Sequence, residues 1–348
     1  MPKIRNWPDP IRRRIGSVLA SIAALSLVVG CSNNDKTSNE PETPSEEGPF
    51  QSVEAAANAP SAFSSPRAGV PLDDGSIVFI ATLEGAAAST ARETGERIAI
   101  LRKYEDREAI EMLYSGDLLA NPLDLAVSVD GETLYIADPA GSEEGTGALL
   151  SLPVTGGEPS VVVSGVSPRA VTVADDGMVY FSGSTETDRE PAVFVLNGSQ
   201  ATPLFSGAPL VDPSGIAVER GGAVLVADTR LFDGDSDVSS EAGIIRIEDG
   251  KASVFASGFA TGYPAGVALT RDEKSLIISG QGKDRSDTVY LVDMSNPALA
   301  PRAITASFSK YQDSAAGLHR AHGSDTFVWA SLAADGGTVY KIIGNSAK

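Results

Sequence analysis

Along residues 50–348, short apolar runs alternate with turns rich in Gly, Asp and Pro, and no segment carries the wider apolar stripe of an amphipathic helix. The pattern repeats. A small or Pro-led start, an apolar run, a turn and a second apolar run recur six times, at intervals of 45 to 56 residues. The copies read SPRAGVPLDDGSIVFIAT from Ser65, NPLDLAVSVDGETLYIAD from Asn121 and SPRAVTVADDGMVYFSG from Ser167. They continue as DPSGIAVERGGAVLVAD from Asp212, YPAGVALTRDEKSLIISG from Tyr263 and SAAGLHRAHGSDTFVWAS from Ser314. Pro66, Pro122, Pro168, Pro213 and Pro264 lead five copies, and Ala315 stands in the sixth.

Each interval has room for four strands, A to D. In the second copy, alternation and turn chemistry predict strand A at Leu123–Val129, a tight Asp130-Gly131 turn, and strand B at Thr133–Ala137. Strand C follows at Ala148–Leu152 and strand D at Ser160–Val163. Third strands recur at Arg97–Leu101, Val193–Leu196, Ile244–Ile247, Val289–Val292 and Val339–Ile342. Fourth strands recur at Ile110–Tyr114, Thr202–Phe205, Ser253–Ala256 and Ala303–Ala306. The sixth copy has no fourth strand before Lys348, and Phe50–Ala56 is placed to supply it. The prediction is an all-β, six-bladed β-propeller over residues 50–348, with its last blade closed by an N-terminal strand that leaves no free sheet edge. An open solenoid of the same units would expose both ends.

The first 49 residues have another character. Arg12-Arg13-Arg14 precedes an apolar stretch from Ile15 to Gly30, too short for a membrane span and flanked like a signal peptide. It ends in Val28-Val29-Gly30-Cys31, which resembles a bacterial lipobox and implies a signal peptide over 1–30 and a lipidated Cys31, hence palmitate and a membrane anchor. Cys31 is the only cysteine, so it has no disulfide partner within the chain. Ser32 follows it, which resembles an outer-membrane address in a Gram-negative host. Residues 31–49 contain no large apolar side chain and predict a disordered tether. Composition adds one exclusion. The net charge is −19, and −23 without residues 1–30, which disfavours nucleic acid and anionic lipid headgroups as partners.

The run Pro213-Ser214-Gly215-Ile216-Ala217-Val218, leading to Leu225-Val226-Ala227-Asp228, resembles the six-bladed NHL and gluconolactonase-like (senescence-marker-type) propellers. Asp130 to Asp138, DGETLYIAD, resembles YVTN-type repeats. The gluconolactonase resemblance implies a divalent metal in the central channel, held by a Glu, an Asn and an Asp, the Asp within Pro-Asp-Gly. Here the corresponding positions read Pro213-Ser214-Gly215 and Pro264-Ala265-Gly266, and Asn121 precedes its proline, so the triad has no residue-by-residue match.

Candidate chemistry lies where the A strands begin. Arg67, Arg169 and Asp124 are expected at the channel mouth, either clamping an anionic or polyol ligand or bridging adjacent blades. His319 breaks a column otherwise formed by Val70, Ala126, Thr172, Ala217 and Ala268, with Arg320 and His322 nearby. It reads as a general base or ligand, or as part of a polar strand in an imperfectly packed last blade. Asp124 and His319 are the catalytic candidates, and Asp138 and Asp228 at strand B ends join the ligand-binding set. Asp233, Asp235, Asp237 and Glu241 have oxygen-ligand spacing suited to calcium, or form a solvated acidic loop. No familiar hydrolase or zinc motif is present. These features favour a binding or scaffold module for a small ligand, glycan or protein, with a gluconolactonase-like hydrolase as the alternative.

Overall fold

The computed structural model describes residues 50–84, 97–142, 145–185, 188–231, 241–281, 287–304, 315–331 and 337–344. The predicted signal peptide, Cys31 and tether lie outside them, as do Asp233, Asp235 and Asp237. The described residues are strands and turns throughout, and none of them forms a helix long and apolar enough to cross a membrane.

The first strand, β1 (Phe50–Ala57), is followed by β2 (Phe63–Pro71), β3 (Ile77–Leu83), β4 (Ile98–Lys103) and β5 (Ile110–Tyr114). Next come β6 (Asp124–Val127), β7 (Thr133–Asp138), β8 (Ala148–Pro153) and β9 (Ser160–Ser164), then β10 (Val166–Val173), β11 (Val179–Thr185), β12 (Pro191–Asn197) and β13 (Gln200–Ser206). They are followed by β14 (Pro213–Val218), β15 (Val224–Asp228), β16 (Ala242–Glu248) and β17 (Lys251–Phe259), and by β18 (Val267–Leu269), β19 (Ser275–Gln281), β20 (Asp287–Asp293) and β21 (Arg302–Ala303). The last are β22 (Ala315–Arg320), β23 (Thr326–Ser331) and β24 (Thr338–Gly344).

Four sheets are antiparallel meanders in sequence order: β6–β9, β10–β13, β14–β17 and β18–β21. The remaining strands form one eight-stranded sheet, β1-β24-β23-β22-β2-β3-β4-β5, whose halves meet at one parallel pairing, Gly69 with Leu318. β1 lies antiparallel to β24, from Phe50 opposite Gly344 to Ala57 opposite Val339, which is the pairing expected of the N-terminal strand. The innermost strands neighbour one another in the order β2, β6, β10, β14, β18, β22, and β22 returns to β2. The arrangement is an all-β propeller of small sheets.

Local chemistry accounts for the hairpins. At the predicted Asp130-Gly131 turn, Gly131 takes a φ of 74° and Asp130 Oδ1 accepts the Glu132 N–H at 3.0 Å. The predicted strands fall inside or within two or three residues of the observed ones. For the predicted Ala303–Ala306 strand, β21 covers Arg302–Ala303, and residues 305 and 306 lie outside the described residues.

Alternation along each strand sends apolar side chains to both faces, and the faces meet between adjacent sheets. One such core joins Val70, Ile80 and Ile100 to Leu125, Ile136 and Leu150. Another joins Ile277 and Val289 to Phe327 and Trp329, the largest fully buried side chain among the described residues, which stacks on Tyr340 at 5.5 Å. Each buried aliphatic or aromatic side chain contributes about 1.5–3 kcal/mol, so stability is spread around the ring rather than concentrated in one centre.

Candidate functional site

The level of the axis where the A strands begin is built from small residues. Ala68, Asp124, Ala170, Gly215, Gly266 and Gly317 occupy equivalent positions, and neighbouring backbones touch there. A methyl group on Gly266 would overlap the Leu318 backbone nitrogen, and one on Gly317 would overlap Ala68. Bonds between sheets tie the same level together. Gly317 N–H donates to Pro264 O at 2.9 Å, Ala265 N–H to Ser214 Oγ at 2.9 Å, and the Ser182 hydroxyl to Ser214 O.

Asp124 is the one charged member of this column, and it is only 2% exposed. Its Oδ1 accepts a hydrogen bond from His319 Nε2 at 2.7 Å, and its Oδ2 accepts the Val171 N–H at 3.0 Å. The first bond crosses the axis from β22 to β6, past the intervening β2. The two catalytic candidates are therefore brought together, and the acceptor capacity of the carboxylate is shared between an imidazole and a backbone amide.

Beyond this closure lies a cavity of about 70 Å³, lined by Val70, Ala126, Thr172, Ala217, Ala268 and His319, the column aligned from the sequence. A volume of this size admits a few waters, whereas pockets for organic ligands run to about 300–1,000 Å³. Next to it, Arg320 Nη1 donates to the carbonyls of Ala321, His322 and Ser324, and burial pulls the guanidinium pKa down. His322 Nε2 donates to Val127 O at 3.0 Å. Polar side chains at the end of β22 and in the turn after it thus satisfy turns and tie β22's sheet to that of β6.

On the opposite, loop-bearing face, Arg67 donates to Asn121 Oδ1 at 2.6 Å and to Pro122 O at 3.2 Å. Arg169 forms an ion pair with Asp212. In both cases an Arg just after one leading proline reaches an Asn or Asp just before the leading proline of the next sheet. The expected bridging arrangement is present, with Asp212 rather than Asp124 as the partner of Arg169.

Asp138 and Asp228, expected in the ligand-binding set, are turned to backbone amides. Both have no exposed surface, because each folds under the loop that leads into strand A of its own sheet. Asp138 accepts N–H groups from Ala120 at 2.8 Å, Asn121 at 3.0 Å and Ala140 at 3.0 Å. Asp228 accepts those of Val211 at 2.8 Å, Asp212 at 2.9 Å and Arg230 at 3.1 Å. Burial raises both carboxyl pKa values against the pull of these amides, that of Asp228 to about 6. They hold Asn121 and Asp212 in place for the arginines, a role visible only once strand B ends and the preceding loops are seen side by side.

The residues present do not fit the metal triad implied by the gluconolactonase resemblance. Ser214 and Ala265 supply no carboxylate, Ser214 is bonded between sheets, and Asp124 is engaged by His319. Among the described residues, no three His, Cys, Asp or Glu side chains converge as a metal-holding group. Glu241 of the predicted calcium loop is exposed, and its carbonyl accepts the Leu231 N–H at 3.0 Å.

The fold defines a β-propeller. No protein-family model matches the sequence, and no curated protein matches it. Solved structures do match. A gluconolactonase from Xanthomonas campestris superposes with a TM-score of 0.54 at 15% identity, covering 85% of this chain and 99% of that one. A protein of unknown function from Bacteroides thetaiotaomicron gives 0.57 at 12% identity, covering 84% and 76%. Another of unknown function, from Dyadobacter fermentans, gives 0.55 at 12% identity, covering 84% and 97%. At these identities the likeness shows the fold alone.

Proposed function

We propose that this chain is a lipid-anchored, six-bladed β-propeller that acts in the bacterial cell envelope as a binding or scaffold module for a small ligand, glycan or protein. The six-blade reading divides the eight-stranded sheet at its single Gly69–Leu318 bridge, because each half is a complete antiparallel four-strand unit. The anchor reading rests on Val28 to Cys31, with the outer membrane as destination in a Gram-negative host. Calcium at Asp233, Asp235, Asp237 and Glu241 belongs to the same proposal, as a brace for a long loop.

The observation that carries the binding reading is the pairing of Asp124 with His319 across a narrow axis, which commits the central acid and base to each other. A gluconolactonase-like hydrolase needs those groups, or others, facing a substrate. The test is a lactone-hydrolysis screen with calcium, zinc or manganese. We expect no turnover above the uncatalysed rate. Metal-dependent turnover that is lost in Asp124→Asn, with an unchanged melting temperature, overturns the binding reading. Labelled palmitate should enter the parent and not Cys31→Ala, and equal labelling refutes the anchor.

A further inference from the structure

We infer that the loop face carries an off-axis site for a uronic acid residue, the anionic sugar of an acidic glycan, between the sheets that begin with β6, β10 and β14. This rests on the binding-module reading and names its ligand class. The concavity there has a volume of about 390 Å³ and is lined, among the described residues, by two arginines and no carboxylate. That volume lies within the range of small-molecule pockets, unlike the axial cavity.

Its polar groups match the ligand's parts. Arg189 is exposed and makes no hydrogen bond or ion pair among the described residues, and the fork of a guanidinium matches a carboxylate. Its φ of 53° places it in the left-handed region, which a non-glycine residue occupies at some cost. Arg169 adds a second guanidinium. Its ion-pair partner Asp212 also faces Arg230 at 3.7 Å, so one carboxylate serves two arginines.

Ser167 and Ser184 are paired directly across β10 and β11, so both hydroxyls leave the same face of the sheet. Neither is engaged by another described group, and two adjacent hydroxyls suit the vicinal hydroxyls of a pyranose ring. Pro139, Pro191 and Pro213 supply apolar wall for the C–H faces of the sugar. A neutral sugar would leave Arg189 unused. A bare anion would leave the hydroxyl pair unused.

The test is calorimetric titration of the full chain in detergent micelles with glucuronate, glucose and inorganic phosphate. Glucuronate should bind at least about tenfold more tightly than either glucose or phosphate, as expected for a charge-assisted bond added to ring contacts. Arg189→Ala should weaken glucuronate about tenfold or more with the melting temperature unchanged, because the side chain is exposed. Arg189→Lys should fall between the two, keeping charge without the fork. The inference is overturned if glucuronate gives no heat, if glucose or phosphate matches it, or if Arg189→Ala binds it like the parent. Those outcomes leave the binding-module reading standing, which fails separately on metal-dependent lactone turnover.

Discussion

Asp228 offers the sharpest energetic test of how the loop face is held. Its carboxyl is completely buried and titrates near pH 6, against an ordinary value of 3.8. Burial is the leading cause, and the amides of Val211 and Arg230 with the charges of Arg230 and Arg169 oppose it. A raised folded-state pKa means that the native protein holds a proton which the unfolded chain has released. The associated stability is fully present below the unfolded pKa and is lost as pH rises through about 6. A shift of about two pH units corresponds to about 3 kcal/mol, of which about 2 kcal/mol falls between about pH 4.5 and about pH 7.5. Asp228→Asn removes the titration while keeping shape. Its one carbonyl oxygen still accepts from Asp212 and Arg230, but its NH₂ faces the Val211 N–H, at a cost of about 1–3 kcal/mol that does not depend on pH. Urea denaturation of the parent and variant across that range gives the difference directly, with every other titrating group common to both. The stability gap should narrow by about 2 kcal/mol as pH rises. A gap that stays constant or widens refutes the reasoning, because it means that the amides hold the carboxylate low despite burial.

Two further outcomes follow from the axis. His319→Ala leaves a buried carboxylate without its partner and should lower stability by about 3–5 kcal/mol, whereas His319→Ala with Asp124→Ala together should cost less than the sum of the single changes. Strict additivity in denaturant melts would show that the two groups do not interact. Gly266→Ala places a methyl against the Leu318 backbone and should cost more than about 3 kcal/mol, read as a lost or strongly shifted thermal transition. A melting temperature within a few degrees of the parent would mean that the axial strands are not in contact there.

The repeat made the strands legible, because period-two alternation and Asp-Gly turns are local signals. The partner of the final sheet was legible too, since a missing fourth strand and a spare first one leave a single solution. Side-chain roles at the axis were harder to read. The small-residue column from Ala68 to Gly317 was in view, yet its consequence, backbones closing the channel, depends on sheet spacing rather than sequence. Asp138 and Asp228 look like ligand groups because a conspicuous Asp ends a hydrophobic strand; only the folded loop shows amides consuming both. The arginine bridges left a signal that reading positions after the leading prolines overlooks. Ser-Pro-Arg in copies one and three is answered by Asn121-Pro122 and Asp212-Pro213 in copies two and four.

The pairing of Phe50 with Gly344 puts the two ends of the described domain one interstrand spacing apart, about 5 Å. A pull applied at Phe50 across the strand direction therefore meets the β1–β24 hydrogen bonds one after another, as a zipper, instead of loading the whole row together. The first bonds to give would uncover the Thr338–Gly344 edge while the other small sheets kept their partners. Mechanical weakness is thus gathered at a single seam, and that seam is where the chain enters the fold.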